Sequence, residues 1–396
     1  MKLKALIASA LILVTGAASA GDWEFTGFVG ADGRAFLQDH RYPEQESGLN
    51  MSLIAQPELY WQDVSGDHRF AFVGFGRLDS EDDERTHADI RELFWGYSGD
   101  GWDTVIGFNR VFWGVTESQH LVDVINQTDL VEDIDQEDKL GQPMVNVNLD
   151  SDFGRFEFFV MPYFRERTFP GVDGRLRPPL PVDTDNAQYE SSDEQNHTDF
   201  SLRYSHYFGD VDIGLSVFDG TSREPLLLLA PEGDRLIPFY QQMTQAGLDL
   251  QYTTDAWLWK LEAIHRDTST DDFFATVAGF EYTKFGIGGS AADLGFLLEY
   301  LYDGRGEQSP PTSFDNDIFL GTRLALNDAE DTSVLAGVAV DLDTQETFFN
   351  IEAERRFGDQ LSASLRVRAF TNAEEGDVFY AFSRDDYIQL RLDWYY

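Results

Sequence analysis

The sequence predicts an all-β fold: a transmembrane antiparallel β-barrel of about 18 strands, with one long loop able to fold into its lumen. Three observations carry this. Past residue 20 the side chains alternate between apolar and polar with period two, the mark of half-buried strands. Tight turns rich in Gly and Asp alternate with long polar connections. No later stretch approaches the roughly 18–20 consecutive apolar residues that a membrane-crossing helix requires.

The chain opens on a leader. Met1-Lys2-Leu3-Lys4 is a short cationic start, Ala5 to Val14 is an apolar run, and Ala18-Ser19-Ala20 supplies small residues for cleavage before Gly21. Residues 1–20 therefore read as a signal peptide and residues 21–396 as one barrel. The strands beyond it are clearest at the C-terminus, where Ile388, Leu390, Leu392 and Trp394 alternate with Gln389, Arg391 and Asp393. Leu361 to Ala369 and Trp257 to Ile264 repeat the pattern. Aromatics gather near strand ends (Trp102, Tyr204, Tyr252, Trp257, Trp394, Tyr396), as membrane-interface girdles do, which favours lipid over a second sheet as the partner of the apolar face.

Eight tight turns are visible, at Val64–Asp67, Gly99–Gly101, Asp150–Gly154, Phe208–Asp210, Thr254–Asp255, Phe285–Ser290, Asn327–Asp331 and Phe357–Asp359. Nine longer connections lie between them, which gives 18 strands and puts both termini at one end. Merging the segments around 80–113 and 371–387 gives 16 instead.

Composition removes other classes. With 71 Asp and Glu against 29 Lys and Arg, the net charge of −42 excludes a nucleic-acid partner, which would need cations for phosphate. Zero cysteines exclude disulfides, thiolate metal sites and cysteine nucleophiles. No His-x-Ser, Gly-x-Ser-x-Gly or His-Glu-x-x-His occurs, and the His197/Asp199 and His265/Asp267 pairs are what chance supplies in so acidic a chain, so no catalytic residue is assigned and the chain reads as a non-enzyme.

With its leader, dyad strands, short Gly-Asp turns and aromatic C-terminal strand Ile388–Tyr396, the chain resembles a Gram-negative outer-membrane porin. The terminal Tyr396 departs from the Phe or Trp usual there. The resemblance implies passive diffusion of small hydrophilic solutes or ions across the outer membrane. It also implies contact with lipid and lipopolysaccharide, recognition of the last strand by the barrel-assembly machinery, and a homotrimer. The alternative in the same architecture is a barrel that does not serve diffusion, such as a polysaccharide export conduit or a surface adhesin.

Residues 114–142 do not read as strand. Leu121, Val124, Ile125, Leu130, Val131 and Ile134 suggest short amphipathic helical turns, and Glu117, Asp123, Asp129, Glu132, Asp133 and Asp135 make the segment acidic. By the strand count this is the third outward loop, which in general porins folds inward and narrows the barrel. A solvated surface loop is the competing reading. No cofactor is expected; the one candidate is calcium at Asp133, Asp135, Glu137 and Asp138, where carboxylates recur without EF-hand spacing. The alternation turns Arg165, Arg203, Arg323, Arg356, Arg366, Arg368 and Arg391 inward with Glu157, Glu262, Glu352 and Glu354. An arginine stripe facing an acidic loop would set a transverse field across the pore; charges that merely pair would not. The acidic runs Asp79–Glu84 and Asp183–Asp199 are expected to be solvated outer loops that could bind divalent cations.

Overall fold

The computed structural model describes residues 21–45 and 48–396; residues 1–20, expected to be a signal peptide, lie outside the described residues. Eighteen strands form one sheet. They are β1 (Gly21–Phe36), β2 (Leu49–Asp63), β3 (His68–Asp79), β4 (Ala88–Gly99), β5 (Trp102–Asn109) and β6 (Gln142–Ser151). Next come β7 (Gly154–Met161), β8 (Asp199–Phe208), β9 (Val211–Thr221), β10 (Gln242–Thr253), β11 (Trp257–Thr268) and β12 (Asp272–Lys284). The last six are β13 (Asp293–Asp303), β14 (Asn316–Ala325), β15 (Ser333–Asp341), β16 (Thr347–Phe357), β17 (Leu361–Thr371) and β18 (Tyr387–Tyr395). Each pairs antiparallel with the next, and β18 pairs with β1 from Phe28↔Tyr395 to Phe36↔Tyr387. That last ladder closes the barrel and leaves no edge strand.

The inside and outside of the wall follow from the pleat. On β14, Leu320 is 50% exposed while its neighbour Phe319 is 8% exposed; on β18, Leu390 is 53% exposed and Gln389 7%. Trp23, Phe25, Leu53, Trp259 and Trp394 extend the outer apolar belt, a surface that suits hydrocarbon and that water would penalise. One bulge interrupts the alternation. Val73 of β3 faces Glu92 while Gly74 faces Ile90, so Arg91 of β4 is an extra residue. It is redirected into the lumen, where its guanidinium meets Asp129.

Connections of 2–8 residues occupy one end with both termini, and most of the longer ones occupy the other. The 32 residues between β5 and β6, 110–141, and the 37 between β7 and β8, 162–198, are the longest. Both turn inward: Val122 is 0% exposed, as is Phe164. A three-stranded patch of Gln188–Tyr189, Leu226–Leu229 and Leu236–Tyr240 ties two outer loops together. Asp82, in the acidic run expected to be solvated, is 3% exposed and accepts the Gly171 N–H at 3.1 Å. Asp79 in the same run pairs with Arg85 at 2.8 Å. Buried loop amides and guanidiniums recruit these carboxylates, so burial rather than hydration sets their role.

Candidate functional site

Loop 110–141 crosses the lumen with no helix in it, contrary to the helical turns expected from its aliphatic spacing. The reason is where its backbone groups find partners. Glu262 on β11 accepts the N–H groups of Val115 (2.7 Å), Thr116 (3.0 Å) and Val122 (3.1 Å). Glu299 on β13 accepts those of Glu117 and Ser118, both at 2.8 Å. Asp123 caps the Trp113 N–H at 2.7 Å, and Asn126 takes that of Val111 at 2.8 Å. Side chains fixed on a rigid wall thus replace the intrahelical bonds. The aliphatic residues still bury: Leu121, Val122, Val124 and Ile125 pack with Phe218, Ile264, Val277, Leu301 and other inward residues of the wall. A Cβ on Gly114 would collide with His120, so the glycine lets the loop fold back tightly there.

The loop's carboxylates meet wall cations in contact. Glu132 takes Arg77 at 2.6 Å, Asp129 takes Arg91 at 2.5 Å and His87 at 3.2 Å, and Glu117 takes Arg323 at 2.6 Å. Asp133 bonds Arg366 and Arg368 with Arg34 at 3.9 Å, and Asp135 holds Arg368 at 2.7 Å. The transverse field expected from separated stripes is therefore largely collapsed into ion pairs. Burial opposes the charge on His120, but Glu137 and Glu262 outweigh it and hold the imidazolium up to about 10. Burial pushes the Asp123 carboxyl up to about 6.

The remaining residues expected to face inward scatter around the wall. Arg203 forks onto Asp249 at 2.7 and 2.8 Å, with Glu157 at 3.7 Å, on the side of β7 and β8. Glu352 lies 3.5 Å from Arg366, and Arg391 pairs with Asp393 at 2.8 Å. Glu354 lines the turn-end cavity without an ion pair among the described residues. Arg356 sits at the turn-end rim, 3.7 Å from Asp331. Arg165 is a correction: β7 ends at Met161, so Arg165 belongs to loop 162–198, from which it reaches Asp89 at 2.7 Å. The sequence reading missed Arg34, Arg77, Arg91 and Glu299, the wall partners of the loop. Alternation alone does not single them out: Arg91 is turned inward by the bulge, and Glu299 shares its face with the buried Leu297 and Leu301.

The proposed calcium ligands do not form a site. Arginines occupy Asp133 and Asp135, and Glu137 is bound to His120 at 3.0 Å. Among the described residues, the groups whose ligand atoms converge are His87/Asp129/Glu132 and Asp315/Asp317/Asp341. In the first, Asp129 and Glu132 are already held by Arg91 and Arg77.

Two cavities flank the loop. One, of about 590 Å³, opens toward the long loops; the other, of about 340 Å³, toward the turn end. Both are lined by Glu117 of the loop and by Leu335, Glu352, Arg366 and Arg391 of the C-terminal strands, so the two cavities adjoin there.

No family model matches the sequence, and no curated protein does. Among solved structures, OpdQ of Pseudomonas aeruginosa aligns over 95% of this chain and 98% of its own at 11% identity, with a TM-score of 0.52. OmpT, an outer membrane protein of Vibrio cholerae in trimer form, aligns over 95% and 99% at 11% identity, TM-score 0.46. A mutant Rh. blastica porin aligns over 95% and 100% at 13% identity, TM-score 0.45. At such identities the likeness concerns the fold, which is porin-like.

Proposed function

We propose that this porin-like barrel is an outer-membrane channel of a Gram-negative bacterium through which small hydrophilic solutes or ions diffuse passively. The observation that carries the reading is a shared lining: cavities of about 590 and 340 Å³ on opposite sides of the inserted loop have five lining residues in common. Four of those five are charged, so a path between the cavities would be wetted there. In this reading residues 1–20 direct export, the tight-turn end with both termini faces the periplasm, and the acidic long loops meet lipopolysaccharide. The C-terminal strand Tyr387–Tyr395 is the segment offered to the barrel-assembly machinery, and the outer belt faces lipid or the other subunits of a trimer.

Liposome swelling tests this with a panel of sugars, amino acids and dicarboxylates. The rate is expected to fall with solute size. Vesicles that take up no member of the panel would contradict diffusion and favour an export or adhesive barrel.

A further inference from the structure

In a chain of net charge −42, the cavity on the long-loop side has a cationic wall. Arg167, Arg266, Arg305 and Lys139 line it. Glu224 is gripped by Arg266 at 2.5 Å and Arg305 at 3.2 Å, and Arg305 also holds Asp303 at 2.7 Å. The three arginines thus share two carboxylates. Arg167 forms no ion pair among the described residues: its Nε reaches Gln127 at 3.4 Å, which leaves both terminal nitrogens of the fork free. Lys139 touches only the Thr128 hydroxyl, at 3.2 Å. Across the cavity Glu137 is engaged by His120, Asp135 by Arg368 and Glu117 by Arg323, while Asp123, which caps the Trp113 N–H, is the leading negative charge acting on Lys139. Asp138 carries no ion pair, and burial pushes its carboxyl up to about 6, which lowers its competition for these cations in mildly acidic medium.

Unpaired guanidinium and ammonium groups in a half-enclosed space are costly unless an anion joins them. The planar fork of arginine matches a carboxylate best, and Glu224 already occupies the wall in that manner. Phe314 and Phe348 line the same cavity and offer apolar surface.

We propose that this cavity binds a small organic carboxylate, with its anionic head on the free fork of Arg167 beside Arg266 and Arg305, and Lys139 as a further cation. The proposal rests on the channel reading and names its solute class. Glu224 stays in place, and the ligand adds a second carboxylate to the cluster.

Titration calorimetry on the purified, detergent-solubilised protein tests it, with benzoate as probe and neutral benzamide as its isostere, at low ionic strength where charge attraction is least screened. Benzoate should bind saturably and benzamide should not. R167Q should weaken benzoate about tenfold, as loss of one charge-assisted contact does, and K139Q should weaken it less. Neither side chain holds an ion pair, so both variants should fold, which heat-shifted electrophoretic mobility would verify. R355Q, which alters an arginine paired with Asp328 at the opposite end, should bind as the unmodified protein does. No saturable heat with benzoate, equal binding of benzamide, or unchanged affinity in R167Q would overturn the site. The measurement needs no current, so binding without conductance would refute the channel and spare the site, while conductance without binding would do the reverse.

Discussion

Glu262 on the barrel wall reaches Thr116 in the inserted loop, 146 residues away in sequence, accepting its backbone N–H at 3.0 Å and meeting its hydroxyl at 2.7 Å. The same carboxylate accepts two further loop amides, so one wall residue organises the entry of the loop into the lumen. A neutral amide in its place presents one acceptor oxygen and adds two donors. E262Q should loosen residues 115–122 while leaving the strand ladders closed. The expected readout is larger and noisier single-channel conductance with unchanged barrel melting. Conductance identical to the parent would mean that the loop is held without Glu262.

Asp133 shares its carboxylate among Arg366, Arg368 and Arg34. Removing one member of such a buried cluster leaves uncompensated charge and costs about 3–5 kcal/mol. D133A should therefore lower stability against denaturant and shift the reversal potential in a salt gradient toward anions. A shift toward cations would contradict the pairing.

The His120 latch has a definite pH window. An unfolded histidine titrates near about 6.5, and in the folded loop its value is raised to about 10. Its contribution is thus fully present below about 6.5 and is lost as pH rises through about 10. Current fluctuations are expected to grow between neutral pH and pH above 10, and H120Q should remove that pH dependence. Fluctuations that are flat with pH in the parent would exclude the latch.

Leu365 and Ser364 are adjacent on β17, and the pleat turns them to opposite faces of the wall. Ser364 stands opposite the inward Glu354 and Arg391, while exposed Leu365 pairs with exposed Leu390 on the outer belt. L365R should cost about 2–4 kcal/mol in bilayers, the penalty of a cation on a lipid-facing strand, and S364R much less. Urea unfolding from vesicles measures both; equal costs would argue that the outer face does not meet lipid.

Much of the wall was legible because its rules are local. The alternation from Ile388 to Trp394 fixes facing, and the eight tight turns fix the strand number at 18 rather than 16. Glu262, Arg366 and Arg368 were readable as inward for the same reason. The lumen was less legible, since it depends on pairings between distant segments. The sequence reveals that Asp133 and Arg368 carry opposite charge, but not that they touch across 235 residues. Residues 162–198 read only as one of the longer connections, yet Arg175 within them pairs with Asp385 at 2.6 Å and Leu176 is buried. A local signal for this filling did exist: Phe159, Phe218 and Phe319 are large apolar residues on faces that a purely aqueous lumen would make polar.

In the proposed channel the two adjoining cavities form one conducting path. Purified protein in a planar bilayer measures it directly. Discrete, stable conductance steps in neutral salt that scale with salt concentration are expected. Correctly folded protein that inserts and carries no current would contradict it.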